Sequence, residues 1–177
     1  MAQTTQRLFF ALWPDHSVRA ALMREYDSQH DLAGLGRRVT PANLHITLHY
    51  LGNTSAEQKK CFIEQARRVS FQPFTLTLDR LGFFPRAAVS WIAPAKTPAA
   101  LNNLHQALGD EIARCGFNSE QRAYHPHVTM ARKIKLSHPP EPLNPLTWRV
   151  ASFALVHSRS QPAGVEYHVI ESFPARD

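Results

Sequence analysis

The chain writes one short pattern twice: His45-Ile46-Thr47-Leu48 and His127-Val128-Thr129-Met130. In a β-strand, alternate side chains project to opposite faces. His45 and Thr47 therefore share one face, Ile46 and Leu48 the other, and the second copy divides in the same way. A fold that holds both copies must bury two matching apolar faces and leave two matching imidazole–hydroxyl faces open. A single His-x-Thr is expected roughly once in two chains of this histidine and threonine content. Two copies with apolar residues at both remaining positions are expected in well under about one chain in a hundred.

The surroundings repeat as well. Leu44 to Leu51 (LHITLHYL) and His125 to Ile134 (HPHVTMARKI) both read as strands, and about 36 residues before each histidine lies another apolar strand segment. These earlier segments are Leu8 to Trp13 and Ala88 to Ala93. Helical stretches separate each pair. Pro14-Asp15 opens a helix to about Asp27 with Val18, Leu22 and Tyr26 on one face. Leu101 to Cys115 carries Leu101, Leu104, Leu108 and Ile112 as its stripe, and Gly116 stops it. A third helix runs from Thr54, read as the N-cap with Glu57 three residues on, to about Val69. Phe74 to Leu81, Val150 to His157 and Val165 to Phe173 complete about seven strands. Gly34 to Arg38 reads as a flexible basic loop. Leu136 to Leu146, with four prolines, reads as irregular. These elements predict an α+β fold with largely antiparallel sheet and a pseudo-twofold axis that sets both histidines facing one groove.

Composition narrows the class but not the chemistry. At 177 residues, 44% hydrophobic and 19% charged, the chain matches one soluble globular domain spanning 1–177. A net charge of +6 permits a polyanionic partner without requiring one. Two cysteines, Cys61 and Cys115, make no disulfide framework, and the longest early apolar run is too short for a membrane span or export signal. Reduced thiols, a cytoplasmic location and no membrane association are the expectation.

Two imidazoles across one groove suit phosphate-ester chemistry. One neutral ring can take a proton from a nucleophile while a protonated ring gives one to a leaving oxygen. The hydroxyls of Thr47 and Thr129 can donate to non-bridging phosphate oxygens. Arg132 could bind phosphate in a bidentate manner, but in a flat strand it points away from His127 and Thr129, so a bulge or strand end must intervene. His49 has the parity of His45 and is expected at the groove rim without a chemical role. His125 and His127 with His45 would give zinc three nitrogens, yet no carboxylate lies near them in sequence, so no metal is expected. Tyr50, Phe84, Tyr124 and Trp13 are aromatic candidates for stacking on a base, with packing as the competing role. Arg37, Arg38 and Arg86 are candidates for an RNA backbone, with solvation as theirs.

Paired His-x-Thr motifs about 80 residues apart are the signature of the two-histidine phosphoesterase superfamily. Within it, QRLFFAL, NLHITLHYLG and HPHVTMAR resemble the bacterial and archaeal RNA 2′,3′-cyclic phosphodiesterases, historically called 2′-5′ RNA ligases. The resemblance implies a bilobal fold in which antiparallel sheets line a central groove with helices outside. It implies that His45 is the proton donor to the leaving 3′ oxygen and His127 the proton acceptor from water. Thr47, Thr129 and Arg132 would hold the phosphate; Tyr50 and Phe84, taken from the aromatic candidates by their position, are expected to contact substrate. The substrate would be RNA ending in a 2′,3′-cyclic phosphate, or a related cyclic nucleotide. The product would be a 2′-phosphomonoester, the enzyme a monomer without cofactor or metal, and the reverse direction a 2′-5′ ligation. A metal-dependent phosphoesterase and a non-catalytic RNA-binding module are the alternatives.

Overall fold

The computed structural model describes residues 4–29 and 35–176, so Gly34 lies outside the described residues. In chain order the elements are β1 (Gln6–Leu12), α1 (His16–Asp27), β2 (Arg37–Arg38), a 3₁₀ turn (Pro41–Asn43), β3 (Ile46–Thr54), α2 (Ala56–Ala66), β4 (Phe74–Phe84), β5 (Val89–Ala93), α3 (Ala99–Ala113), β6 (Val128–Arg132), β7 (Glu141–Val150), β8 (Ser152–Gln161) and β9 (Gly164–Pro174). The strands form one sheet in the order β7-β4-β5-β6-β3-β1-β8-β9, with β2 added to β6. Every pairing is antiparallel.

The two motif strands meet at the centre, where Ile46 pairs with Val128. Outward from that seam the two halves repeat in register. Leu12, Ala11 and Phe10 of β1 face Ile46, Thr47 and His49 of β3. Ile92, Trp91 and Ser90 of β5 face Val128, Thr129 and Ala131 of β6. Each motif strand thus carries one extra residue at the same place, Leu48 in β3 and Met130 in β6, which is a β-bulge.

All three helices contribute to one core. Val18, Leu22 and Tyr26 from α1, Phe62 and Ala66 from α2, and Leu101, Leu104, Leu108 and Ile112 from α3 join Leu8, Phe10, Ile46, Leu48, Val128 and Met130 of the sheet. Each such leucine or isoleucine contributes about 1.5–3 kcal/mol by leaving water. The other face of β1 and β8 carries only the small cluster Phe9, Ala11, Ala154 and Val156, with Trp13 and Tyr167 at its edge. That side remains open to form the cleft.

Four local expectations need correction. The N-cap of α2 is Ser55, which completes a capping box with Gln58, while Thr54 ends β3 and donates its hydroxyl to the Gly52 carbonyl. Arg37–Arg38 is not loop but strand, with Arg37 opposite Arg132 and Arg38 opposite Ala131. Of the proline-rich segment, residues 136–140 are irregular as expected, but Glu141 onward becomes β7, tolerated because β7 is an edge strand and a residue lacking an N–H costs nothing on its outer side. The cysteines are joined: α2 and α3 bring Cys61 and Cys115 to a Cα–Cα distance of 5.9 Å, and they form a disulfide across 54 residues. That closeness comes from helix packing, to which spacing along the chain is blind. Among the described residues, no helix is long and apolar enough to cross a membrane.

Candidate active site

His45 and His127 each occupy the residue just before their strand, and each is oriented by the same device. His45 Nδ1 donates to the carbonyl of Asn43 at 2.7 Å, and His127 Nδ1 donates to the carbonyl of His125 at 2.8 Å. A carbonyl only accepts, so the N–H is fixed on Nδ1 and the lone pair of each neutral ring is on Nε2. For His45 that lone pair receives the Thr47 hydroxyl at 3.1 Å. Both rings open into one cleft of about 330 Å³, together with Thr47, Thr129, Tyr50 and Arg132.

The bulges explain how Tyr50 and Arg132 reach it. The extra residue in each strand rephases the alternation, so Leu48 and His49 both turn to the core, as do Met130 and Ala131. The fifth residue after each histidine then returns to the cleft: Tyr50 in β3 and Arg132 in β6. The geometric objection to Arg132 is thereby met by a bulge. His49 moves the other way and is only 6% exposed. Its Nε2 donates to the His105 carbonyl at 2.8 Å, and its ring stacks on His105 at 4.2 Å. His49 is thus a core residue, not one of the rim.

The rings differ in their surroundings. His45 is boxed by Phe9 at 4.9 Å, Tyr167 at 5.3 Å and Trp13 at 5.8 Å. This burial pushes its imidazole from 6.5 down to about 4, and nearby Arg132 and His127 push the same way against the Asn43 carbonyl. His127 is also lowered, first by burial and then by Arg132 and His125, against the His125 carbonyl. Its neighbour is Phe84, edge-on at 5.0 Å, and Phe84 in turn packs on Trp91 at 5.3 Å. At pH 7 the cleft therefore presents two neutral imidazoles beside one guanidinium. Among the described residues, no three His, Cys, Asp or Glu side chains converge in a way that could hold a metal ion.

The family model of the 2′-5′ RNA ligase superfamily matches residues 13–162. The chain belongs to this superfamily. Among curated superfamily members, the RNA 2′,3′-cyclic phosphodiesterase of Escherichia coli is 35% identical over 86% of this chain and 87% of its own length. That of Thermus thermophilus is 31% identical over 96% and 90%. Among solved structures, Escherichia coli LigT complexed with 3′-AMP superposes with a TM-score of 0.89 at 30% identity, covering 98% of this chain and all of that one. The α+β, mainly antiparallel architecture of this superfamily is the one the duplicated pattern predicts.

Three residues that box His45 escaped the sequence reading in that role: Phe9, Trp13 and Tyr167. Phe9 was findable, since it has the opposite parity to the core residues Leu8 and Phe10. Tyr167 has no such signal, because the alternation of β9 does not say which face meets His45. Tyr124 is neither exposed nor free to stack on a base. Its ring lies 3.8 Å from that of His105, and its hydroxyl donates to the Thr47 carbonyl at 2.9 Å, tying the segment before His127 to the other motif.

Proposed function

We propose that this protein hydrolyses RNA 2′,3′-cyclic phosphate ends to 2′-phosphomonoesters, as a metal-independent enzyme whose two histidines divide the proton transfers. The observation that carries this reading is the shared cleft in which both Nε2 atoms are free of backbone partners and flanked by Thr47, Thr129 and Arg132. The names of the curated relatives and the 3′-AMP bound to Escherichia coli LigT support the same substrate class.

In the reaction, the phosphorus sits between the two rings. His127 Nε2 takes a proton from water as the water oxygen attacks phosphorus. The P–O3′ bond breaks, and His45 Nε2 delivers its proton to O3′. One proton enters the enzyme at His127 and one leaves at His45, so the charge on the pair is unchanged. Each transfer is worth roughly 10²–10⁴-fold in rate. The hydroxyls of Thr47 and Thr129 and the guanidinium of Arg132 stabilise the charge that grows on the non-bridging oxygens.

The unequal environments favour this division of labour. A ring boxed by Phe9, Trp13 and Tyr167 gives up a proton readily once charged, and the phosphate anion supplies the negative field that charges it. His45 is therefore the stronger acid. Tyr50, 58% exposed at the cleft mouth, and Phe84 offer faces for the terminal base. With an RNA 5′-hydroxyl in place of water as the nucleophile, attack of O5′ on phosphorus and departure of O3′ join the ends through a 2′-5′ linkage. The chain is taken to act in the cytoplasm as a monomer, one domain of two pseudo-symmetric lobes.

The test is product analysis on an oligonucleotide ending in a 2′,3′-cyclic phosphate, with wild type, His45→Ala and His127→Ala. A 2′-phosphate product lost in both variants supports the reading, as does activity that survives a chelator. Full activity in the double variant ends it. Chelator-sensitive turnover would favour the metal-dependent alternative, and salt-sensitive RNA binding without turnover would favour the binding module.

A further inference from the structure

A second cleft of about 280 Å³ opens directly off the first and shares His45, Thr129, Arg132 and Tyr167 with it. Its floor is β2 and the end of β6. Its roof is the tip of the β8–β9 hairpin at Ala163, Gly164 and Val165. Arg37, Arg132 and Lys133 line it, and among the described residues the lining includes no carboxylate. Arg38 also borders it, but its guanidinium is held by Asp27 at 2.7 Å.

Several features hold these cations in place at a cost. Arg37 and Arg132 are cross-strand partners, and like charges directly opposite each other repel. Lys133 adopts φ +57, a left-handed conformation that a lysine rarely takes. Gly36, at φ +66, lets β2 come close, since a Cβ there would collide with the Arg132 carbonyl. The Arg37 guanidinium crosses over Gly164 and donates to the Ala163 carbonyl at 2.6 Å, which uses one of its five N–H groups. From the other side, Asn43 donates to the Val165 carbonyl at 2.8 Å. The hairpin tip is thus pinned over a strip of unneutralised positive charge that begins at the candidate phosphate site. An anion seated there would relieve the Arg37–Arg132 repulsion.

We propose that this second cleft binds the phosphodiester one step upstream of the terminal cyclic phosphate, making the protein a reader of RNA strands in preference to cyclic mononucleotides. The inference rests on the reading of the first cleft given above. The terminal phosphorus lies between the histidines, the terminal base turns toward Tyr50 and Phe84, and the preceding phosphate runs under the hairpin between Arg37 and Lys133.

The experiment compares two substrates, 2′,3′-cyclic AMP and a short RNA ending in a 2′,3′-cyclic phosphate, with wild type, Arg37→Ala and Lys133→Asn. Asparagine tolerates the left-handed conformation, so the second variant removes charge without adding strain. Each variant is expected to lower kcat/KM on the oligonucleotide about tenfold, mainly through KM, and to change turnover of the mononucleotide less than about twofold. The dependence of log kcat/KM on log salt should flatten by about 0.7 for the oligonucleotide alone. Equal losses on both substrates, or no loss on either, overturn the inference while leaving the first cleft's role intact. A loss confined to strand joining also overturns it, since the cleft would then serve the incoming 5′ strand. A wild type inactive on both substrates removes the reading of the first cleft and this inference with it.

Discussion

Folding holds His45 neutral, and that makes its stability contribution depend on pH in a way that can be worked out. In the unfolded chain its ring titrates near 6.5, and in the folded chain near 4, because Phe9, Trp13 and Tyr167 exclude the water that would solvate its charge. A histidine whose folded value is depressed costs nothing above pH 6.5. Below that, the unfolded state binds a proton that the folded state refuses, and stability falls until pH passes through 4. At about 1.36 kcal/mol per pH unit, the loss comes to about 3 kcal/mol by pH 4. Other groups titrate over the same window, so the informative quantity is a difference. His45→Asn keeps a donor for the Asn43 carbonyl and removes the titration. Urea unfolding of both proteins at pH 7.5, 6, 5 and 4 should show the wild type losing about 3 kcal/mol more than the variant, nearly all of it below pH 6.5. A difference that stays flat across that range would refute the claim that packing, through desolvation, controls this proton.

The same logic predicts the response to an anion: inorganic phosphate should raise the His45 titration seen by NMR, and an unchanged midpoint at saturating phosphate would contradict a phosphate seated between the rings. Gly82 lies under the Trp91 indole, where a Cβ would collide, so Gly82→Ala should cost about 1–3 kcal/mol and disturb the Trp91–Phe84–His127 contacts. Wild-type denaturation and activity in that variant would show that the aromatic column is not rigid. Tyr124→Phe deletes the donor to the Thr47 carbonyl and should lower stability by about 1–3 kcal/mol while reducing kcat more than it changes KM. Unaltered kinetics would free Thr47 from that tie. Replacing Cys61 and Cys115 by serine should cost about 2–4 kcal/mol in chemical denaturation, because the link closes a 54-residue span. Identical curves with and without reductant would argue against the bond.

What was legible in the sequence were features set by local periodicity. The alternation of His45, Thr47, His127 and Thr129 predicts their common face, and the flanking repeats predict that their strands lie side by side. Arg132 shows where periodicity stops: its parity points the wrong way, and only the extra residue at Met130 restores it. The same bulge at Leu48 brings Tyr50 to the cleft and removes His49, although both segments look like plain alternation. No residue type signals such an insertion. The other misses have a common origin in contacts between distant segments. Arg37–Arg38 becomes a strand because β6 offers it an edge, and β7 tolerates Pro142 and Pro145 because nothing pairs with its far side. The cysteines meet because α2 packs on α3.

The matched bulges leave the site with two imidazoles in equivalent strand positions and, five places on, with unlike companions. At the fifth place after the imidazole, one arm presents a phenol and the other a guanidinium. A ligand entering such a near-mirror meets a cation on one arm only, a cue to left and right that adds to the unequal boxing of the two rings. Exchanging the two, Tyr50→Arg with Arg132→Tyr, would carry that cation to the His45 arm and set it against the cue that the aromatic box still gives.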